Sequence, residues 1–184
     1  LDEGAVHPAV AGLPGPVLGF FGLLDDRLDA GLLSYLSRRW PGTVVLVGER
    51  RRDAPALPRS GVVRHVGPVD YAALPRIARG VDAWLLPYVV GERTRAIDPL
   101  KLREYLATGA PVVSTPLPEV LAWSPLVAVG DTHSAVYEAA LEAVADPGRG
   151  RQARLASLAG HSWDDRRDVF LDAVAGVERS RDLP

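Results

Sequence analysis

Residues 17–48 read VLGFFGLLDDRLDAGLLSYLSRRWPGTVVLVG, and the hydrophobic period of this stretch changes twice. Val17 to Phe21 is an unbroken run of strand formers that stops at Gly22. Leu28, Leu32, Leu33 and Leu36 then recur at helical spacing until Trp40-Pro41-Gly42 ends the pattern. Thr43 to Val47 is a second β-rich run, closed by Gly48. Two strands joined by a helix imply a right-handed crossover and parallel pairing. Both runs are continuously apolar rather than alternating, as burial on two faces requires.

The alternation continues along the chain. A loop carrying Arg50-Arg51-Arg52 and Pro55 and Pro58 leads to a third run, Val62 to Val66, ending at Gly67. Tyr71 to Arg79 reads as a short helix with Leu74, Ile77 and Ala78 on one face and Pro75 inside it. Ala83 to Leu86 is a fourth strand, and Pro99 to Thr108 a helix closed by Gly109. Val112 to Ser114 and Leu126 to Val129 are the fifth and sixth strands. Ser134 to Ala145, Arg149 to Ala159 and Trp163 to Val177 are expected to be helical, the last opened by a capping box from Ser162 to Asp165. The predicted fold is α/β: a doubly wound, Rossmann-like parallel sheet of about six strands. Residues 1–184 are expected to form one domain, with 1–16 an interdomain segment and 162–177 a C-terminal helix.

Composition narrows the function. The chain has no cysteine, which excludes a disulfide framework, a thiolate metal site and a cysteine nucleophile. Lysine plus arginine is 21 against 23 aspartate plus glutamate, and this charge of -2 argues against nonspecific nucleic-acid binding. No apolar run approaches the ~18 residues that would span a bilayer; Val81 to Val90 is interrupted by Asp82 and Pro87. No basic-then-apolar leader opens the chain, so a cytoplasmic location is expected. The chain begins at Leu1 and contains no methionine, which predicts a piece of a longer protein.

In doubly wound sheets, ligands bind beyond the carboxyl ends of the strands where the strand order reverses. The segment after the fourth strand is the unusual one. Asp98 is a good N-cap and Pro99 suits a first helical turn, leaving the amides of Leu100 and Lys101 free at a positive helix terminus. Arg93, Arg95 and Lys101 add positive charge, and Glu104 lies one turn beyond Lys101 on the same face. A cation followed by a carboxylate in this order can hold a phosphate and a sugar hydroxyl together. Spacing alone accounts for them equally as solvated charges and an ordinary helix ion-pair partner. Arg50-Arg51-Arg52 reads as a solvated loop, Ser114 and Thr115 as loop hydrogen-bonding residues, and Trp84 as core. Asp25 and Asp26, adjacent in a turn, do not make a convergent carboxylate pair. The histidines at 7, 65, 133 and 161 have no ligand spacing.

Residues 99–119, PLKLREYLATGAPVVSTPLPE, resemble the donor-site segment of GT-B glycosyltransferases of the "glycosyl transferases group 1" type. The resemblance extends over most of the chain. Residues 19–29, Leu46-Val47-Gly48, His65-Val66-Gly67, residues 81–88 and His161-Ser162-Trp163 fall in that family's order. It implies the C-terminal, donor-binding half of a two-domain enzyme that transfers a sugar from a nucleotide diphosphate sugar to an envelope or exopolysaccharide acceptor, with retention.

Under the resemblance, Gly22 lets the first loop approach the diphosphate, Lys101 and nearby amides bind it, and Glu104 accepts from the ribose hydroxyls. Val69 and Asp70 line the nucleobase pocket, and Arg95 sits near the donor. No metal or other cofactor is expected. The implied partners are the donor and the missing N-terminal acceptor-binding domain, through which alone any peripheral membrane association would arise. The isolated half is expected to be inactive.

Two departures stand out. Leu23 follows Gly22 where relatives carry an arginine, and Asp29 and Ala30 occupy the neighbourhood of a lysine, with Arg27 the candidate substitute. Ala96 stands eight residues before Glu104 where a second glutamate is usual, with Glu92 or Asp98 as candidates. These departures leave two alternatives open: a non-catalytic nucleotide-binding or assembly module of the same fold, and a nucleotide-sugar epimerase.

Overall fold

Six strands, β1 (Val17–Phe21), β2 (Thr43–Val47), β3 (Val63–Gly67), β4 (Ala83–Leu86), β5 (Val112–Ser114) and β6 (Ala128–Val129), form one sheet in the order β3-β2-β1-β4-β5-β6. Every pairing is parallel. The order reverses between β1 and β4, which makes that junction the switch point of a doubly wound sheet. The computed structural model describes residues 4–97 and 100–160, together with Asp164, Asp165, Arg167 and 170–172.

Helices α1 (Ala30–Arg39), α2 (Leu74–Ala78), α3 (Glu92–Arg95), α4 (Leu100–Thr108), α5 (Pro118–Leu121), α6 (His133–Ala145) and α7 (Arg151–Ala156) flank the sheet. All residues of β1, β2, β4 and β5 are buried, so both faces of the central sheet are covered. The outer strand β3 exposes Arg64 and His65. Helix α1 packs with α6, and α4 with α7. Among the described residues, two helices open on side-chain caps: Asp29 accepts from the Leu32 amide at 2.8 Å, and Thr132 accepts from the Ala135 amide at 3.1 Å. Gly109 follows α4 as its sequence pattern predicts, and its carbonyl accepts both Nε and Nη2 of buried Arg154.

The sequence reading differs from the structure at several places. The segment from Tyr71 divides into a 3-10 turn, Tyr71–Ala73, and α2, because Pro75 lies in the first turn of a new helix, where a missing amide costs nothing. Strand β6 holds two residues rather than four, since the amides of Leu126 and Val127 are taken by the Trp123 carbonyl in a turn. Helix α7 is shorter than the run from Arg149 to Ala159; it ends where the Ser157 hydroxyl donates to the Arg154 carbonyl. The single turn α3 has no periodic signal and is built around buried Thr94, whose hydroxyl donates to the Val89 carbonyl at 2.6 Å and accepts from the Gly91 amide at 2.9 Å. Residues 4–16, read as an interdomain segment, lie against the domain: Val10 is in the core and the His7 amide donates to the Arg76 carbonyl. Of the helix expected at 162–177, Asp164, Asp165, Arg167 and 170–172 are helical, and its capping residue Ser162 lies outside the described residues.

Beyond β1 and β2 the loops continue the sheet. The Gly22 amide donates to the Val47 carbonyl, the Leu24 amide to the Glu49 carbonyl, and the Arg51 amide to the Leu24 carbonyl. This brings Gly48 so close to Gly22 that a Cβ on Gly48 would fall 1.9 Å from the Gly22 carbonyl oxygen, at a φ of 140° that side chains rarely adopt. Gly48→Ala is expected to lower the free energy of unfolding by about 2 kcal/mol or more, from left-handed strain plus the clash. A urea titration read by circular dichroism checks this; an unchanged midpoint would show that the two loops can separate freely.

Candidate functional site

The site forms where β1 and β4 part. Strand β1 pairs with β2 along its whole length, to Phe21 opposite Val47, but with β4 only at Leu18 and Gly19. The vacated position is taken by Tyr105 of α4, whose hydroxyl accepts from the Phe21 amide at 3.1 Å and lies 3.3 Å from the Phe21 carbonyl, to which it donates. Its ring stacks on Trp84 at 4.6 Å with a 2° interplanar angle, and Phe21 meets both edge-on. The core assignment of Trp84 therefore holds, and its indole donates to Thr108. Lys101, four residues before Tyr105 on the same helical face, is thereby held over the loop after β1.

Two strand-end loops are laced together here. The Asp29 amide donates to the Pro87 carbonyl and the Val89 amide to the Arg27 carbonyl, each at 2.8 Å, with Leu28 opposite Tyr88 in an antiparallel bridge. Tyr88 is fully buried, its backbone carbonyl accepting from the Thr115 hydroxyl at 2.6 Å. Ser114 likewise spends its hydroxyl on the Thr115 carbonyl, so these two residues serve the loop.

Two cations meet at the Tyr88 ring. The Lys101 ammonium donates to the Tyr88 hydroxyl and stands 4.5 Å from the Phe20 centroid and 5.0 Å from that of Tyr88. The Arg27 guanidinium stands 5.3 Å from the Tyr88 centroid. Arg27 also donates from Nε and Nη2 to Asp25, at 2.6 to 2.9 Å. Gly22, with φ of 135°, borders Lys101 so tightly that a Cβ there would lie 2.5 Å from Nζ. Among the described residues no carboxylate comes within ion-pair distance of Lys101.

The electrostatics follow from this enclosure. Loss of water lowers the Lys101 ammonium to about 8, and repulsion from Arg27 adds to it, while Asp25 and Glu104 oppose the shift. Burial drives the Tyr88 phenol up to about 12, so it stays a neutral hydroxyl. Burial alone would raise the Asp25 carboxyl, but hydrogen bonds from Arg27 outweigh it and hold the group below its ordinary value. The same hydrogen bond to Asp25 raises the Arg27 guanidinium. Asp25 and Asp26 diverge, the first to Arg27 and the second to Arg93, which excludes a paired-carboxylate role.

Glu104, half-buried on α4, accepts from the hydroxyl of Tyr71 at 3.1 Å, and this contact raises the Tyr71 phenol. The two border a largely apolar pocket of about 270 Å³, lined also by Phe21, Ala72, Leu74, Pro75, Ala78, Ala107 and Thr108. Val69 and Asp70 lie just before this wall and are not part of it; Asp70 is exposed and precedes the 3-10 turn. Arg95 is exposed on α3, with no hydrogen bond or ion pair to a described residue, and Leu100 opens α4 with 60% of its surface exposed. Asp98, Pro99 and His161-Ser162-Trp163 lie outside the described residues. Of the loop and helix-start residues weighed in the sequence, Arg50 turns its guanidinium to the Ala54 and Pro55 carbonyls, and Glu119 is exposed in the first turn of α5.

The structure thus gathers Gly22, Arg27 and Lys101, with Glu104 one turn away, and adds Tyr88, Asp25 and Tyr71, to which the sequence reading gave no site role. Two cues were present. Tyr88 directly follows Pro87 at the carboxyl end of β4, and Tyr71 follows the proposed base-contacting pair. An arrangement of two cations, a hydroxyl-accepting carboxylate and an apolar slot suits a phosphorylated ligand with hydroxyls and a flat ring. A larger cavity of about 440 Å³ lies at the opposite end of the sheet, by Pro111 and Val112, but its buried Arg154 is engaged by backbone carbonyls. Among the described residues no three or more histidine or acidic side chains converge as metal ligands, and no helix is long and apolar enough to cross a membrane.

No protein-family model matches the chain. Over 112 residues it is 34% identical to TuaH of Bacillus subtilis (strain 168), provisionally named a teichuronic acid biosynthesis glycosyltransferase; the match covers 58% of this chain and 28% of that protein. Among solved structures, it resembles the UDP-forming α,α-trehalose-phosphate synthase of Burkholderia vietnamiensis (TM-score 0.68, 15% identity, 92% of this chain and 46% of that one). It also resembles sucrose-phosphate synthase of Thermosynechococcus elongatus (TM-score 0.65, 17% identity, 92% and 47%). A third is Anabaena Alr3699/HepE in complex with UDP (TM-score 0.60, 14% identity, 87% and 48%). At these identities the likeness establishes the fold alone: a Rossmann-like α/β domain that matches about half of each of these chains. The chain spans about half the length of these structures and less than a third of TuaH.

Lys101 is the one lysine in the sequence, which makes its charge directly observable. Reductive methylation with ¹³C-formaldehyde labels only Lys101 and the amino terminus. The Lys101 methyl signal is expected to titrate near pH 8 rather than 10.5. Titration in the ordinary lysine range would show that the ammonium is not enclosed.

Proposed function

We propose that this chain is the nucleotide-sugar-binding half of a retaining glycosyltransferase that adds a sugar to an envelope or exopolysaccharide acceptor. The observation that carries the reading is the Lys101 ammonium beside Arg27 at the β1/β4 switch point, with no described carboxylate within ion-pair distance and with Glu104 one turn along the same helix. The likeness to TuaH supports a polysaccharide acceptor, and the UDP complex of the Anabaena protein makes UDP the first nucleotide to try.

In this reading the diphosphate lies against Gly22, where no side chain intervenes, and Lys101 and Arg27 neutralise it. Their value grows as the bond from the anomeric carbon to the diphosphate oxygen breaks, because charge accumulates on the leaving group in a site already stripped of water. A bond from the acceptor oxygen to the anomeric carbon forms on the same face of the sugar, its hydroxyl proton passing to the departing diphosphate oxygen, in a cleft completed by a second domain. Glu104 gives up the Tyr71 hydroxyl and accepts from the ribose, while the nucleobase enters the slot beside Tyr71. Arg27 takes the place that a loop arginine or lysine fills in the family resembled. Arg95 is left to the donor sugar or acceptor side, and no metal ion is assigned a role.

Calorimetric titration of the chain with UDP and GDP in the presence of a chelator tests this. One nucleoside diphosphate is expected to bind, with Lys101→Ala weakening it about tenfold or more and sparing the nucleoside. Glu104→Ala is expected to weaken nucleoside and nucleotide alike. Affinity for the diphosphate should fall as pH rises through about 8, because Lys101 loses its proton there. Unchanged affinity in Lys101→Ala would move the diphosphate elsewhere.

A further inference from the structure

Lys101 and Glu104 lie three residues apart on α4, a spacing at which opposite charges ordinarily pair. They do not pair here. Glu104 takes the Tyr71 hydroxyl, and Lys101 turns instead to the Tyr88 hydroxyl, despite the nearby positive charge of Arg27. An ammonium that could reach a carboxylate is thus held in a desolvated place beside a second cation. Something must offset that cost, and the groups touching it are two aromatic faces and one phenol oxygen.

Tyr88 is itself rigidly held. Its carbonyl is anchored by Thr115, its flanking residues are laced to Arg27 and Asp29, and Phe20 meets its ring edge-on at 6.0 Å. The ring has the guanidinium near it at 5.3 Å and the ammonium at 5.0 Å. Among the described residues it is therefore the one group in the site that contacts both cations and belongs to neither of their segments.

We propose that Tyr88 is the positioning residue of this site, its hydroxyl and ring keeping Lys101 beside Arg27 and withdrawn from Glu104. The consequence, which rests on the reading of the site as a diphosphate receptor, is that the anion site and the hydroxyl-accepting carboxylate remain separate. Collapsed into a Lys101–Glu104 ion pair, neither would be available to a ligand.

Tyr88→Phe removes the hydroxyl and leaves the ring and its packing. The first readout is the titration of the single lysine by the ¹³C-methyl signal, which needs no ligand. In Tyr88→Phe the Lys101 midpoint is expected to rise by more than one unit as the ammonium leaves its enclosure for Glu104, and in Tyr88→Phe/Glu104→Gln that rise is expected to shrink. A midpoint that stays near 8 in Tyr88→Phe, with an unchanged melting temperature, overturns the proposal. The second readout is affinity for UDP and for inorganic pyrophosphate, expected to fall about tenfold in Tyr88→Phe, as for loss of a charge-assisted contact. Full affinity in Tyr88→Phe alongside weakened binding in Lys101→Ala overturns the proposal and leaves the diphosphate reading standing. Failure of the parent chain to bind either probe, with the Lys101 midpoint still raised in Tyr88→Phe, overturns the diphosphate reading and supports the positioning role.

Discussion

The arrangement depends on one buried hydroxyl. At the switch point β1 and β4 part after Gly19, so the backbone of Phe21 has no strand on that side to complete its ladder. A backbone amide left unpaired in a core costs about 1–3 kcal/mol. Tyr105 resolves this by presenting a single oxygen to both the amide and the carbonyl of Phe21. Because the tyrosine belongs to α4, closing the ladder also fixes the helix against the strand end. The crevice that doubly wound sheets leave open at this point is thus bounded by a defined helical face, and Lys101 and Glu104 are on that helix.

What the crevice holds is charge balanced by aromatic surface rather than by carboxylates. Asp25 is committed to Arg27, and Asp26 to Arg93. Lys101 is left with phenol and ring faces, which stabilise a cation less than a carboxylate would and so leave it able to gain from an anion. Burial, with repulsion from Arg27 added, lowers the Lys101 ammonium to about 8. The Tyr71–Glu104 contact has a similar character: an exposed hydroxyl on a carboxylate is readily exchanged for a ligand's.

Gly22 and Gly48 link this chemistry to the fold. Their backbones approach where side chains would collide with each other or with the Lys101 ammonium, so the loops after β1 and β2 close over the strand ends as one layer. The lacing of Val89 to Arg27 then holds Arg27, displaced along the loop from where the resemblance would put a cation, at the Tyr88 ring.

The strands were legible because burial on both faces leaves continuous apolar runs; β1, β2, β4 and β5 fall where those runs lie. The ends were less so. The amides of Leu126 and Val127 look like strand until a turn claims them, and α3 exists because of one buried threonine hydroxyl rather than any periodicity. For the site, sequence spacing alone placed Lys101 and Glu104 on one helical face and Gly22 at a strand end. It could not place Tyr105 on Phe21, 84 residues away, nor Tyr88 between Lys101 and Arg27. Those meetings depend on which strands are neighbours and where they diverge, and hydrophobic pattern carries no information about that divergence. The sequence determined the layers and the helix that bears the charges; the tertiary structure decided which groups face those charges, because only the packed sheet brings the two loops together.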